Sequence, residues 1–462
     1  MTLHKFDVAV LGAGPAGAAS ALFLSRAGFR VALLEQRAFA AAGPSWVNAV
    51  YAAAFDDVGL ARPHGDEIDA ADFDVTFFSA DMQMRLDVPK PGYVNIRMRA
   101  IVDRLIRDGF AAGVTGFDEM RLQQLHFTGE RLAAADFIRG NPAGQSGESC
   151  RIEAKLFVDC TGLAGALKQQ IAAVNSLAAN TQDRDICIAQ QENCEVSDVD
   201  ACRAFLTRYN ILPGTLVSIL GTAGGYSTMS VQVSRDFSEV GLLAGSMKDA
   251  RYPSGPQMLK QFRGGHSWVG KRILGGGGSI PLNAPLGTLT APGIALVGNA
   301  ANQVFSTHGS GVMPALQAAR MLSDAVAGAS DPGAADVLWK YTAAFQRSMG
   351  AMLATYNIFR RFSETLSADE IGKMFRYGLM NEAMMISGIR QQMPSPSLSD
   401  GLNALLAAVR DPAFAARMAK ALAGMPLVYL HYRNFPEKCN EAEFLRWQRR
   451  AEELNATNLS PR

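Results

Sequence analysis

Apolar residues recur in this chain at two different periods, and the changes of period outline its elements. Phe6–Leu11 is a short apolar run, a glycine-rich stretch interrupts it, a helix-like segment follows, and a second run, Arg30–Glu35, ends on a carboxylate. The pattern predicts strand, glycine turn, helix, strand. Between Asp72 and Leu86 aromatic and β-branched residues mix, and from Asn95 to Val114 the residues Ile101, Val102, Leu105, Ile106 and Phe110 keep helical spacing. A long strand ending at Val158-Asp159-Cys160-Thr161-Gly162 comes next. Then "GTLVSILG", "YSTMSVQVS" and "EVGLLAG" predict strands of an antiparallel sheet, the middle one alternating most clearly. Gly275–Gly278 is expected to be a loop, and a last apolar run leads into Gly298-Asn299-Ala300-Ala301 and a second glycine-bracketed turn. Beyond Asp331 helical periodicity dominates. Residues 373–393 hold five of the 19 methionines, a soft core or a broad binding lining; Pro394–Ser397 breaks the chain, and the basic tail from Arg433 is expected to fray.

Composition narrows the class. With 462 residues, 48% of them apolar, the chain is long enough for a large core and for two or three interleaved units. The 44 basic and 43 acidic residues leave a net charge of +1, too little to gather polyanions, so nucleic acid is not an expected partner. The six cysteines form no C-x-x-C pair and suit neither a zinc site nor a disulfide scaffold; they are expected to be reduced, buried and inert. No apolar run approaches the ~20 residues that span a bilayer. The first strand begins almost at once, leaving no room for a secretory leader, so a cytoplasmic location is expected.

The first glycine turn carries the sharpest chemistry. In "GAGPAG", Gly12, Gly14 and Gly17 have the G-x-G-x-x-G spacing: Gly12 for the tight turn, Gly14 for close approach of a pyrophosphate, Gly17 for packing helix on strand. Pro15 and Ala16 open the helix whose N-terminus faces the phosphates, and Glu35, eighteen residues past Gly17 and followed by Gln36, is placed to accept both hydroxyls of an adenosine ribose. This half of the site is common to NAD and FAD.

Three motifs together resemble the glutathione-reductase-type FAD domain found in flavoprotein monooxygenases of the p-hydroxybenzoate hydroxylase fold, in geranylgeranyl reductases and in tryptophan halogenases. They are G-A-G-P-A-G with Glu35, "VDCTG" ending at Gly162, and "GNAANQVFSTHGSGVMPAL", which follows the family's G-D-A-A-x-x-x-x-P-x-x-G-x-G spacing at Gly298, Asn299, Gly309 and Gly311. The resemblance covers roughly residues 5–325 and implies an α/β fold. An FAD-binding Rossmann domain (1–70, 95–175 and 280–330) is interleaved with an antiparallel-sheet substrate domain (71–94 and 176–279), and a helical C-terminal region (331–462) follows.

The resemblance also assigns residues. Asn299 stands where the family has an aspartate that accepts a hydrogen bond from a ribityl hydroxyl; its amide carbonyl has the same reach but is a weaker, neutral acceptor. Alternatively Asn299 only starts a turn. Backbone N–H groups of Ser310, Gly311 and Val312 are implied to stabilise charge on the reduced flavin, and Ser306 departs from the family's proline. His308 is either a proton shuttle or a rim residue. Arg99 resembles the arginine of R-x-x-L-D-x-x-L that lies near the diphosphate, with Arg97 as its rival. Trp46, Asn48 and Tyr51 sit where members line the cofactor or substrate cavity, Trp46 being equally readable as core.

The chemistry within the superfamily is narrowed by elimination. A halogenase needs a lysine after the first β-α-β unit and a W-x-W-x-I-P motif; between Met1 and Val88 the only lysine is Lys5, and the motif is missing. The leading expectation is an FAD-dependent monooxygenase acting through a flavin C4a-hydroperoxide, with NAD(P)H as a transient reductant and an aromatic small molecule or a protein-borne tryptophan as substrate. The tryptophan-directed form is that of monooxygenases maturing quinohaemoprotein amine dehydrogenase, with a long helical C-terminus and a protein partner there; no motif here singles it out. A prenyl-type double-bond reductase is the alternative, since "GGYSTMSVQV" partly echoes G-Y-x-W-x-F-P but lacks the tryptophan and F-P, and no cysteine precedes Cys150. A non-catalytic flavin-binding maturation partner is the third.

Overall fold

The computed structural model describes residues 1–140, 148–171, 183–394 and 398–456. Its centre is the strand Thr2–Leu11, paired in parallel with Ser149–Asp159 on one side and Val31–Leu34 on the other. Ile294–Leu296 and Thr115–Phe117 extend the parallel part outward, and the antiparallel hairpin Met120–Thr128/Arg131–Arg139 joins Ser149–Asp159, giving eight strands with Thr290–Ala291 at the edge. Val8–Leu11, Val31–Leu34 and Leu156–Asp159 are buried because helices cover both faces, so these strands read as unbroken apolar runs rather than alternating ones. The helices are Pro15–Arg26, Met98–Ala111 and Val312–Val326. Four parallel strands end at one sheet edge, at Leu11, Leu34, Asp159 and Leu296, the edge at which open α/β sheets bind ligands.

A second sheet of seven strands runs in the order Val269–Pro281, Ile186–Val196, Glu239–Met247, Ser227–Val233, Leu216–Leu220, Val75–Phe78, Arg85–Val88. It is antiparallel except where Leu216–Leu220 meets Val75–Phe78. Three short strands, Val47–Tyr51, Tyr93–Arg97 and Ile68–Ala70, form a third sheet. The expected fold class is the one observed: a mixed α/β body with parallel and antiparallel sheets, a Rossmann-type unit and a helical C-terminal region. No helix among the described residues is long and apolar enough to cross a membrane.

Several expectations need correction. Gly275–Gly278 is not a loop but the middle of the strand Val269–Pro281, paired with Ala189–Glu192. Backbone pairing needs no side chains, and here side chains would not fit: a Cβ on Gly276 would lie 2.9 Å from the Trp46 ring, and one on Gly277 2.3 Å from Gln190 Oε1. The helix read over Asn95–Val114 spans Met98–Ala111, because Asn95–Arg97 complete a strand; Phe110 is exposed and packs edge-on against Phe39. Cys439 is exposed, unlike the other five cysteines.

The tail does not fray over its described length. Glu441–Ala456 is a helix that buries Phe444, Trp447, Ala451 and Leu454 against Trp339, Ile358, Val428 and Phe435. Its charged letters hid the apolar stripe from a reading based on composition. The Trp447 indole stacks on His431 with ring centres 5.2 Å apart and donates through Nε1 to the His431 carbonyl at 3.1 Å. Trp447→Ala is therefore expected to lower stability by about 3 kcal/mol or more in denaturant unfolding; a loss below about 1 kcal/mol would mean that this helix is not part of the cooperative core.

Candidate functional site

The first glycine turn owes its shape to three backbones in near contact. Gly12 has φ +92° and donates to the Leu34 carbonyl at 2.7 Å; a Cβ on it would lie 2.7 Å from the Cys160 carbonyl oxygen. A Cβ on Gly17 would lie 1.7 Å from the Gly12 oxygen. Gly14 differs: nothing lies within 4 Å of where its Cβ would be, and as it lines the cleft the space in front of it is open to a ligand. Pro15 is the first helical residue, and no side chain caps the helix, which leaves its N–H groups facing that space.

Glu35 is buried and braces the turn. Its Oε2 accepts from the Ala13 N–H at 2.8 Å and keeps a lone pair for a further donor, while its Oε1 accepts from the Arg37 N–H at 3.0 Å and from Arg37 Nε at 3.4 Å. Across the edge, fully buried Asp159 accepts from the Thr161 N–H and hydroxyl through Oδ1 and from the Leu167 N–H through Oδ2, shaping the loop after Cys160. Gly162, at φ +75°, faces open space.

The second glycine turn packs onto the first. Gly298 has φ +77°, and a Cβ on it would lie 3.0 Å from the Ala16 methyl group. Its N–H donates to Gln303 Oε1 at 2.7 Å; Gln303 Nε2 donates to the Tyr341 hydroxyl, which donates to the Leu296 carbonyl. Asn299 aims Oδ1 at Gly311, 2.8 Å from that residue's would-be Cβ, and its side chain makes no hydrogen bond among the described residues, so the amide is open to a ligand. The helix Val312–Val326 begins at Gly311 without a capping side chain.

These pieces line one cleft of about 970 Å³. Glu35, Gln36, Arg37, Met120–Gln123 and Phe137 stand at one end; Trp46, Asn48, Gly276, Gly277, Ile280 and Gly309–Val312 stand at the other. Arg99 and Arg121 on the walls are in no ion pair among the described residues, which suits a diphosphate. Arg97, the rival of Arg99, instead pairs with Asp69 at 3.3 Å and is not on the wall. An open space before Gly14, two uncapped helix N-termini, unpaired arginines and a free Asn299 amide together fit an extended dinucleotide such as FAD.

Of the residues singled out from sequence, Gly12, Gly14, Pro15, Ala16, Glu35, Gln36, Arg99, Gly162, Gly298, Asn299, Gly309, Ser310, Gly311, Val312, Trp46 and Asn48 line this cleft. Gly17, Tyr51 and His308 do not. Gly17 is spent on backbone packing. Tyr51 faces a separate cavity of about 80 Å³ and carries the Arg390 guanidinium 5.5 Å from its ring centre. His308 turns to the helix Glu382–Ile389, its Nε2 3.2 Å from the Gly388 carbonyl and its ring against Phe305. Sequence reading missed Gln191, whose amide accepts from the Val47 N–H at 2.7 Å and donates to the Val47 carbonyl at 2.8 Å, anchoring the Trp46 segment to the second sheet. It also missed Gln303 and Tyr341; nothing in their spacing announces them.

Residues 7–86 match the protein family described as FAD dependent oxidoreductase. The chain is 23% identical over 443 residues to the digeranylgeranylglycerophospholipid reductase of Sulfolobus acidocaldarius, covering 94% of each. Among solved structures it resembles a geranylgeranyl bacteriochlorophyll reductase-like protein from Thermoplasma acidophilum (TM-score 0.69, 14% identity, 91% of this chain and all of that one). It also resembles PqsL, a probable FAD-dependent monooxygenase from Pseudomonas aeruginosa (TM-score 0.57, 15% identity, 81% of this chain and all of that one).

His308 is exposed as a residue, yet desolvation by the protein around its ring pushes its pKa down to about 4, while its bond to Gly388 acts the other way. An unfolded histidine titrates near 6.5, so between these values the unfolded chain binds the extra proton and stability falls as the pH drops from about 6.5 towards 4. His431 adds a smaller slope of the same sign. His308→Gln should flatten the fall in melting temperature across this window, while an unchanged slope would show that His308 does not titrate there.

Proposed function

We propose that this FAD-dependent oxidoreductase reduces a carbon–carbon double bond of an isoprenoid chain. The observation that carries the reading is the resemblance to a digeranylgeranylglycerophospholipid reductase along 94% of both chains. The ring end of the cleft suits such a substrate: Met98, Trp46, Ile280, Val312 and the bare backbone of Gly276–Gly277 make an apolar wall with few groups demanding hydrogen bonds.

Bound and reduced, FAD supplies the hydride for one alkene carbon. The other carbon then needs a proton, and the candidate donor is Tyr226, which stands beside the flavin-side loop though not among the residues lining the cleft. Its hydroxyl lies 4.0 Å from where a Cβ on Gly309 would be. Desolvation raises its pKa well above the usual value, so the phenol keeps its proton at neutral pH, and it makes no hydrogen bond among the described residues. Gly225, just before it, donates to the Leu366 carbonyl, so the C-terminal helices fix the turn that presents this phenol. Gln191 and the glycine strand hold Trp46 as the opposite wall, and the apolar lining keeps water from competing as proton donor.

A second reading, hydroxylation of an aromatic small molecule or of a protein-borne tryptophan with NAD(P)H and oxygen, is favoured by Trp46 itself, an indole laid on bare backbone with Asn48 near. The readings separate by mass. With chemically reduced enzyme under anaerobic conditions, a geranylgeranyl lipid should gain two hydrogens per reacted double bond, and Tyr226→Phe should lower kcat by about a hundredfold while retaining flavin. No anaerobic product, with an oxygen-dependent gain of one oxygen on an aromatic acceptor, would replace the first reading with the second.

A further inference from the structure

The helix Leu398–Arg410 turns Asn403 and Ala407 inward, the Asn403 amide donating to the Gly378 carbonyl, and leaves Leu402, Leu405, Leu406 and Val409 in water at 58%, 61%, 40% and 73% exposure. Positions three and four apart share one helix face, so these four make a continuous aliphatic stripe. The next two helices, Pro412–Leu422 and Gly424–Arg433, add exposed Ala413, Ala416, Ala419, Leu427 and Leu430. From 401 to 430 every exposed residue is alanine, a larger aliphatic, glycine or proline, apart from Arg410 and Lys420. Soluble surfaces of this size are rarely so free of polar groups unless something covers them.

The charges say what. Between 398 and 433 the only carboxylates are Asp400 and Asp411, and both are engaged: Asp400 accepts from the Asn381 amide at 2.6 Å, and Asp411 pairs with Lys373 at 2.8 Å. Arg417 pairs with Glu370. Arg410 and Lys420 are in no ion pair among the described residues. A second copy docked face to face would meet these cations with its own and offer no exposed carboxylate between 401 and 430. Exposed Asp369 reaches the Lys373–Asp411 pair from the neighbouring helix, but an aliphatic face whose own exposed charges are both cations matches an anionic lipid surface, with leucines entering the acyl boundary and the cations at the phosphates.

We propose that the face formed by residues 401–430 docks the protein on an anionic lipid bilayer. A lipid as substrate rests on the reductase reading above; the docking rests on this surface. The test is sedimentation of the flavin-loaded full chain with vesicles of phosphatidylcholine, alone or with one third phosphatidylglycerol. The protein should pellet with the anionic vesicles, with less bound as salt is raised. Leu405→Glu/Val409→Glu, at exposed positions where flavin content and melting temperature should not change, should reduce binding about tenfold or more. Arg410→Ser/Lys420→Ser should remove the preference for phosphatidylglycerol. Equal pelleting of wild type and the double glutamate variant, or no pelleting at all, would overturn the proposal. So would concentration-dependent dimerisation lost in that variant without vesicle binding, which gives the face to a second copy. A wild type that binds vesicles yet reduces no detergent-dispersed isoprenoid would sink the reductase reading and leave the docking standing.

Discussion

The structure turns on a contact that only glycine permits: Gly17 against the Gly12 carbonyl, and Gly12 against the Cys160 carbonyl. It brings the first helix, the first strand and the strand Ser149–Asp159 to one point at the carboxyl edge of the sheet. Gly298 seats the second glycine turn on Ala16 from the other side. Residues some 280 apart in sequence thereby share one cleft wall, and the helix N-termini at Pro15 and Val312 both open on it. An elongated anionic ligand is what such an edge receives, because each uncapped helix start offers N–H groups and partial positive charge.

Away from that edge, side-chain amides set the geometry. Gln303 ties the second turn to Tyr341 on the helix Ala335–Phe345, so the C-terminal region supports the site rather than merely capping the body. Gln191 holds Val47 as a strand neighbour would, which places Trp46 over the tetraglycine strand. Each is a polar group satisfied in an apolar setting, and removing either would strand buried partners. Tyr226 is the contrast: a half-buried phenol beside the flavin-side loop with no hydrogen bond among the described residues.

Much of the frame was legible because local rules and tertiary structure agree there. The G-x-G-x-x-G spacing, Glu35 and the second turn are backbone requirements, and backbone requirements leave glycines in fixed places. Gly275–Gly278 misled because glycine ordinarily signals a turn, whereas here it clears space for an indole donated from residue 46. The C-terminal tail misled because a helix that buries one stripe can be charged on average, as Glu441–Ala456 is. His308 stood at the right distance along the chain, but φ +72° at Gly309 and the packing of its ring on Phe305 turn it towards Gly388 instead of the cleft. Gln191 and Gln303 lie on elements whose neighbours are set by tertiary pairing, so no spacing rule reaches them.

The central claim, that both glycine turns grip one FAD, is tested most directly at Gly14. Its backbone, φ −69° and ψ −176°, accepts any residue, and no protein atom lies within 4 Å of a Cβ there, so a larger side chain fills ligand space alone. Titration of the apoprotein with FAD, followed by flavin fluorescence, should give one site for the wild type and an affinity at least about a hundredfold weaker for Gly14→Val, with melting temperature unchanged. Wild-type affinity in Gly14→Val would show that the cofactor does not lie along this turn, and would contradict the account.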